Sequence, residues 1–98
     1  MFIVGGFNAY PAEIENILCD HPAISQAAVI GIADDRMGEV AKAFIVLKHS
    51  QSLNAETLMH WCKENMANYK VPREIEFVKD LPTNAAGKVM KYMLKNGS

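Results

Sequence analysis

Residues 24–48 read ISQAAVIGIADDRMGEVAKAFIVLK. Two stretches rich in β-branched residues and alanine, 24–32 and 40–48, flank the polar segment ADDRMGE. Apolar runs of this length, bounded by polar turn residues, are typical of β-strands. The pattern therefore predicts two antiparallel strands joined by a long connection, around which the rest of the chain is arranged.

One helix is predicted on each side of this pair of strands. Pro11 suits the first position of a helix, and the residues predicted to form its buried stripe are Tyr10, Ile14, Ile17 and Leu18. Asn54 is a good N-cap for the second helix, which we expect to end before Pro72. Its apolar residues keep helical spacing and are Ala55, Leu58, Met59, Cys62 and Met66.

Shorter segments complete the predicted order. Residues 1–4 resemble a strand that stops at Gly5-Gly6, and the alternation in REIEFV, residues 73–78, predicts another with Ile75 and Phe77 on one face. A short helix is predicted from about Gly87, with an inner side of Val89, Met90, Met93 and Leu94. The order β-α-β-β-α-β plus a C-terminal helix indicates a single α+β domain, a small antiparallel or mixed sheet with flanking helices.

Composition limits the classes of function. The 98 residues are half hydrophobic, enough for one domain with its own core. Residues 1–68 hold four bases and eight acids, whereas residues 69–98 hold six bases and three acids. This asymmetry favours an anionic partner near the C-terminal end, with a solvated basic surface as the alternative.

Cysteine and histidine give no sign of a metal site or a disulfide framework. Cys19 and Cys62 lack a CxxC partner, and the three histidines lack the paired spacing of metal ligands. We expect no metal ligands and a reducing cytoplasmic location. No basic-then-apolar leader opens the chain, and its apolar runs fall far short of the roughly 20 residues of a membrane span.

Lys88 directly follows Gly87, where the C-terminal helix is predicted to begin. A helix N-terminus disfavours a cation by about 0.3–1 kcal/mol but attracts phosphate or carboxylate. This placement suggests an anion site, although Lys88, Lys91 and Lys95 can equally form one solvated basic face. A P-loop is excluded, because Pro82 stands where that motif needs glycine.

Two loops can approach a ligand. Gly5-Gly6 is either a simple tight turn or a close passage for a slender molecule. Tyr69 and Arg73 can stack a base and hold a phosphate, or simply anchor the loop. An RNA-binding sheet is the obvious competitor, but the second long strand has one aromatic residue, Phe44, and the net charge is −1.

The segments in their order resemble a known family. GGFNAYPAEIE (5–15), HPAISQAAVIGIADDRMGE (21–39), AKAFIVLK (41–48), YKVPREIEFVKDLP (69–82) and GKVMK (87–91) are together similar to the C-terminal domain of adenylate-forming, AMP-binding enzymes, with acyl-CoA synthetases most similar. The resemblance implies a two-step reaction, in which ATP and Mg²⁺ convert a carboxylic acid, such as a fatty acid, to an acyl-adenylate and coenzyme A (CoA) then forms the thioester. It also implies a large N-terminal domain, outside this chain, that binds ATP and the acid and against which the small domain rotates between steps.

The same resemblance implies roles for individual residues. Lys88 is the lysine of the adenylation step, and Lys91 and Lys95 are ordinary surface lysines. The residues implied to contact CoA are Gly5 and Gly6 at the pantetheine tunnel, Tyr69 at the adenine, Arg73 at the 3′-phosphate, and Met37 near the same nucleotide. Some relatives have Glu, Trp and Arg where this chain has Phe7, Met37 and Val71.

Two alternatives remain at this stage. One is the equivalent piece of a peptide-synthetase adenylation domain or a luciferase-like enzyme, which differs in the acceptor. The other, from a different class, is a free-standing βαββαβ module that binds RNA or another anion. On the favoured interpretation the chain binds no nucleic acid, and the domain alone is expected to be inactive as a ligase.

Overall fold

Five strands and three helices form in the computed structural model, which describes the backbone of residues 1–97 and the side chains of residues 1–94. The strands are β1 (Phe2–Val4), β2 (Phe7–Ala9), β3 (Ile24–Asp34), β4 (Gly38–Leu47) and β5 (Glu74–Phe77). The helices are α1 (Pro11–Leu18), α2 (Ala55–Asn65) and α3 (Lys91–Gly97), and a 3-10 turn occupies Asn68–Lys70. The predicted α+β class is confirmed, with β2 as an additional short strand.

The pair β3–β4 is the centre of the sheet. The two strands are antiparallel from Asp34↔Gly38 to Ile24↔Leu47, with an irregularity between Ile24 and Gln26. The predicted long connection is wrong, since both ends of the ADDRMGE segment join the strands and only residues 35–37 remain between them. Gly38 allows the tight return, with a φ of +83°.

The other side of β4 carries two short strands. β1 pairs with β4 at Gly38 and forms an antiparallel hairpin with β2, whereas β5 runs parallel to Lys42–Ile45. The buried ammonium of Lys42 lies 3.3 Å from a carboxylate oxygen of Glu76 and 3.9 Å from one of Glu74, so ion pairs reinforce the β4–β5 pairing. The sheet is mixed, in the order β2-β1-β4-β3 with β5 attached to β4.

Apolar side chains pack on both faces of the sheet. The larger cluster joins the sheet to α1 and α2 and includes Val29, Ala43, Ile45, Ile14, Leu18, Leu58 and Cys62. The smaller cluster, on the other face, consists of Ala28, Ile30, Phe44, Leu81 and Leu94. Because β-strand side chains alternate between faces, these consecutive residues of β3 and β4 serve both clusters. No helix within residues 1–97 has the length and apolar character that a membrane span needs.

The first two helices form because of a capping residue and buried apolar residues that were predicted from the sequence. Asn54 caps α2, with its side-chain oxygen accepting a hydrogen bond from the Thr57 N–H at 2.7 Å. Ile14 and Leu18, on the inner side of α1, are fully buried. The prediction that Tyr10 lies in the buried stripe is wrong: Tyr10 is the extended residue before the helix, and 49% of it is exposed.

The C-terminal helix begins later than predicted. Thr83 and Val89 pair as an antiparallel bridge, and the turn between them is held by Asn84, whose side-chain oxygen accepts hydrogen bonds from the N–H groups of Ala86 and Lys88. Gly87 has a φ of +80°, outside the helical region. The predicted start at Gly87 is therefore wrong, because asparagine and glycine here favour a turn over a helix.

We call residues 83–89 the Lys88 hairpin. After it, α3 starts at Lys91 and buries Leu94 against the sheet, while Met93, predicted to be inside, is 46% exposed. Val89 and Leu81 pack in the same smaller cluster as Leu94. The hairpin is thus attached to the sheet by apolar residues on both sides.

Candidate functional site

Lys88 lies in a hairpin rather than at a helix N-terminus. Its backbone is fixed by hydrogen bonds in both directions: the Asn84 N–H donates to the Lys88 carbonyl at 2.9 Å, and the Lys88 N–H donates to the Asn84 side chain at 3.0 Å. The side chain is exposed. The helix-dipole argument for an anion at this position is therefore wrong, although an exposed ammonium on a hydrogen-bonded turn can still bind an anion.

Lys88 has no ion-pair partner among the side chains of residues 1–94. The carboxylates nearest in sequence, such as Asp80, do not reach it, whereas Lys42, Lys70 and Lys91 are all paired. Its ammonium is thus available to an external anion, as a group that stabilises negative charge in a reaction must be.

Lys91 differs sharply from Lys88. Its ammonium lies 2.6 Å from Oε2 of Glu15 on α1, and the same carboxylate oxygen accepts the Val29 N–H of β3 at 2.8 Å. The prediction that Lys91 is an ordinary surface lysine is wrong, because the fold brings it to a carboxylate 76 positions earlier in the chain. The side chain of Lys95, predicted to be similar, lies outside the described residues.

Gly5 and Gly6 form the turn between β1 and β2, with φ values of +55° and +90°. The Gly5 N–H donates to the Met37 carbonyl at 2.9 Å, and a Cβ on Gly5 would lie only 2.5 Å from Met37 Cε. A Cβ on Gly6 would meet no heavy atom within 4 Å. A side chain on Gly5 would thus displace the flexible end of Met37, whereas Gly6 leaves an open surface that a slender ligand can approach.

Tyr69 lies beside this glycine turn. Its ring stacks on that of Phe7, with centroids 4.9 Å apart and an interplanar angle of 15°, and Phe7 is 59% exposed. Phe7 was not predicted as a site residue, and its position directly after Gly5-Gly6 is the one sequence signal that could have identified it. The stack offers an aromatic surface of the kind that binds a flat ring.

Arg73 and Met37 share a hollow at the same end of the sheet. The hollow is lined by Asp34, Arg36, Met37, Val40 and Arg73. Asp34 holds the β3–β4 turn by accepting the N–H groups of Arg36 and Met37, at 3.1 and 2.9 Å. Arg36 was missed by the sequence reasoning, and together with Arg73 it gives the hollow two cations suited to a phosphate.

The structure thus groups the predicted CoA residues and separates them from Lys88. The Lys88 hairpin shares a hollow with residues 25–27 of β3, through Gly87, whereas Gly5 and Met37 lie beside the opposite end of that strand. From Ala27 to Asp34 the strand advances about 23 Å, at roughly 3.3 Å per residue. The Lys88 hairpin and the Gly5–Met37 contact therefore lie towards opposite ends of β3.

Other reactive groups give no competing site. Burial raises the pKa of the Cys62 thiol to about 11 and also raises the pKa of Cys19, so neither is a thiolate nucleophile at neutral pH. Within residues 1–94 no group of His, Cys, Asp and Glu side chains could hold a metal ion. The groups that the described residues offer to a ligand are therefore cationic side chains and the exposed backbone of the Gly5-Gly6 turn.

Comparison with known proteins shows which family the chain resembles. Residues 13–88 match the model of the AMP-binding enzyme C-terminal domain family. The chain is 50% identical over 95 residues to a 3-[(3aS,4S,7aS)-7a-methyl-1,5-dioxo-octahydro-1H-inden-4-yl]propanoyl:CoA ligase of Rhodococcus jostii, covering 97% of this chain and 18% of the ligase. It is 42% identical over 95 residues to a 2-succinylbenzoate–CoA ligase of Bacillus cereus, covering 97% and 19%.

A solved structure of a Mycobacterium tuberculosis fatty acyl CoA synthetase superposes with a TM-score of 0.88 at 36% identity, covering 99% of this chain and 19% of that one. The chain thus spans about a fifth of the length of the relatives that it matches.

Proposed function

Because the chain belongs to the AMP-binding enzyme C-terminal domain family, we propose that it acts as the mobile C-terminal domain of an acyl-CoA synthetase, an acid–thiol ligase that forms AMP. The observation that carries the proposal is the hydrogen-bonded, exposed hairpin that presents Lys88, at the end of the matched region. The CoA-ligase names of the matched relatives support the same reaction class.

The remaining parts of the enzyme are assigned to an N-terminal domain beyond this chain. That domain binds ATP, Mg²⁺ and the carboxylic acid, consistent with a chain that spans 18% of the Rhodococcus jostii ligase. The described residues have no metal-binding cluster to offer. We place the reaction in the cytoplasm and leave the acid, fatty or otherwise, to be defined by the N-terminal pocket.

In the first step, a carboxylate oxygen of the acid attacks the α-phosphorus of ATP. The bond between that phosphorus and the pyrophosphate oxygen breaks, giving acyl-adenylate and pyrophosphate. Lys88 reaches the carboxylate and the α-phosphate, orients the attack and neutralises the developing charge. A positioned donor of this kind contributes about 10²–10³ in rate in a site from which water is excluded.

In the second step, the CoA sulfur attacks the acyl carbon, the bond from that carbon to the phosphate oxygen breaks, and AMP leaves. The domain now presents its other end. Gly5 and Gly6 line the pantetheine passage, Tyr69 stacked on Phe7 meets the adenine, and Arg73 with Met37 meets the phosphorylated ribose. The placement of the two groups towards opposite ends of β3 supports a rotation of the domain between the two steps.

The test is replacement of Lys88 by alanine in the full-length ligase. We expect ATP–pyrophosphate exchange, which reports the first step, to fall by about 10²–10³ because the stabilising charge is lost. Lys79→Ala is the matched control, since Lys79 is also exposed and precedes the hairpin. Normal exchange by the Lys88→Ala enzyme would contradict the proposal.

A further inference from the structure

A carboxylate on α1 holds the base of the Lys88 hairpin. Lys91, the first residue of α3, follows the bridge residue Val89 by two positions and pairs with Glu15 at 2.6 Å. Neither side chain is fully in water, as 21% of the Glu15 side chain and 36% of the Lys91 side chain are exposed. The pair is therefore less screened than an ion pair at the open surface.

Glu15 is itself fixed to the sheet. β3 is an edge strand, so the N–H groups on its outer side have no strand partner. One of them, the Val29 N–H, donates a hydrogen bond to the Glu15 carboxylate at 2.8 Å. One carboxylate oxygen thus joins three elements: α1, which carries it, β3, which orients it, and α3, whose lysine it binds. Lys91 follows Lys88 by only three positions, so the contact lies close to Lys88 along the chain.

The polar contact adds something that the apolar contacts of the segment do not. Leu81 and Leu94 attach the hairpin and α3 to the smaller cluster, but burial of apolar surface is not directional. The ion pair instead joins Lys91 to one point on the sheet, the Glu15 carboxylate oxygen that also accepts the Val29 N–H. The Glu15–Lys91 pair therefore holds the chain just after the hairpin in one place on the sheet, and with it the segment from which Lys88 extends.

We propose that Glu15 is a positioning residue for adenylate formation, which acts through Lys91 to hold the Lys88 hairpin in its reactive orientation. This inference rests on the proposed function. It assigns to α1, which lies far from Lys88 in the sequence, a part in the first chemical step. The thioester step uses the opposite end of the domain and does not depend on the pair.

The helix provides its own matched control. Glu13, two residues before Glu15 on α1, pairs with Lys70 instead, and that hydrogen bond raises the pKa of Lys70. Glu13→Gln thus removes an ion pair from the same helix without touching the Lys88 hairpin. Glu15→Gln removes the charge that binds Lys91 but keeps an amide oxygen that can accept the Val29 N–H.

The experiment compares both half-reactions in the full-length ligase for Glu15→Gln, Lys91→Met, Lys91→Arg and Glu13→Gln. We expect kcat for ATP–pyrophosphate exchange to fall about tenfold in Glu15→Gln and Lys91→Met, because Lys88 is then misplaced. A misplacement of about 1 Å can cost about a hundredfold in rate, so a tenfold loss corresponds to a smaller displacement. The KM for ATP should stay unchanged, as should thioester formation from supplied acyl-adenylate. Lys91→Arg, which keeps the charge, and Glu13→Gln should retain normal exchange.

The outcomes separate this inference from the proposed function. If Glu15→Gln and Lys91→Met exchange normally while Lys88→Ala fails, the positioning role is wrong and the proposed function stands. If Glu15→Gln slows both half-reactions equally, the pair only stabilises the fold and the positioning role is again wrong. If Lys88→Ala itself exchanges normally, the proposed function fails first.

Discussion

At the scale of single residues, Lys88 and Lys91 show how the fold differentiates side chains that the sequence leaves alike. Lys88 is exposed on a turn that Asn84 fixes, whereas Lys91 is held by a carboxylate on α1. Spacing along the chain could not distinguish them, because the partner of Lys91 lies 76 positions away. The role proposed for Lys88 comes from the family resemblance, and the ion pair of Lys91 is visible only in the structure.

The two turn glycines are also distinct. Gly5→Ala places a Cβ 2.5 Å from Met37 Cε at a φ of +55°. The flexible end of Met37 can move away, but backbone strain of roughly 1–2 kcal/mol remains. We expect a loss of at least about 1 kcal/mol in the free energy of unfolding, measured by urea denaturation of the domain. Met37→Ala in the same chain should restore little of this loss, because the backbone strain is unchanged. An unchanged unfolding midpoint for Gly5→Ala would contradict this reading of the turn.

At the scale of elements, sequence patterns predicted α1, α2 and the strands of the central sheet, because hydrophobic period, proline and caps act locally. They missed β2, which has only three residues, and placed the start of the last helix four residues too early. There, the Asn84 side chain competes with the helix for backbone N–H groups, and Thr83 pairs with Val89 instead. The sequence also left open the register of β5, which depends on its contacts with β4.

The cap of α2 can be tested in isolation from the site. Asn54→Ala removes the acceptor of the Thr57 N–H, and we expect it to cost about 1 kcal/mol in the free energy of unfolding. Asn54→Ser should cost far less, since serine is also a good N-cap. Urea denaturation measures both, and equal stability of the alanine and serine variants would show that the cap does not stabilise the helix.

At the scale of the whole molecule, the Lys88 hairpin and the Gly5-Gly6 turn lie towards opposite ends of β3, and apolar side chains cover the face of the sheet that Phe44 occupies. Phe44 is 2% exposed under Leu81 and Leu94, so the aromatic residue that an RNA-binding interpretation would use is covered. The alternative of a free-standing RNA-binding module loses its main structural feature. The grouping of Gly6, Tyr69 and Arg73 at one end of the sheet agrees instead with a single elongated ligand.

That grouping predicts a selective defect when Gly6 is enlarged. In the full-length ligase, Gly6→Leu should fill the open surface beside the turn and slow thioester formation from supplied acyl-adenylate by about tenfold or more, through misplacement of the CoA thiol. Adenylate formation by the same variant should remain, which also shows that the domain still folds despite the φ of +90°. Normal use of CoA would exclude Gly6 from the passage.

The most direct test of the central claim, that one domain serves two steps with opposite ends, is a measurement on Lys88→Ala in the full-length ligase. Isolated acyl-adenylate and CoA are supplied without ATP, and the single-turnover rate of thioester formation is compared with that of the unsubstituted enzyme. We expect the two rates to agree within about twofold, because the Lys88 hairpin lies beside the end of β3 opposite to the residues assigned to CoA. A loss as large as that in ATP–pyrophosphate exchange would contradict the account.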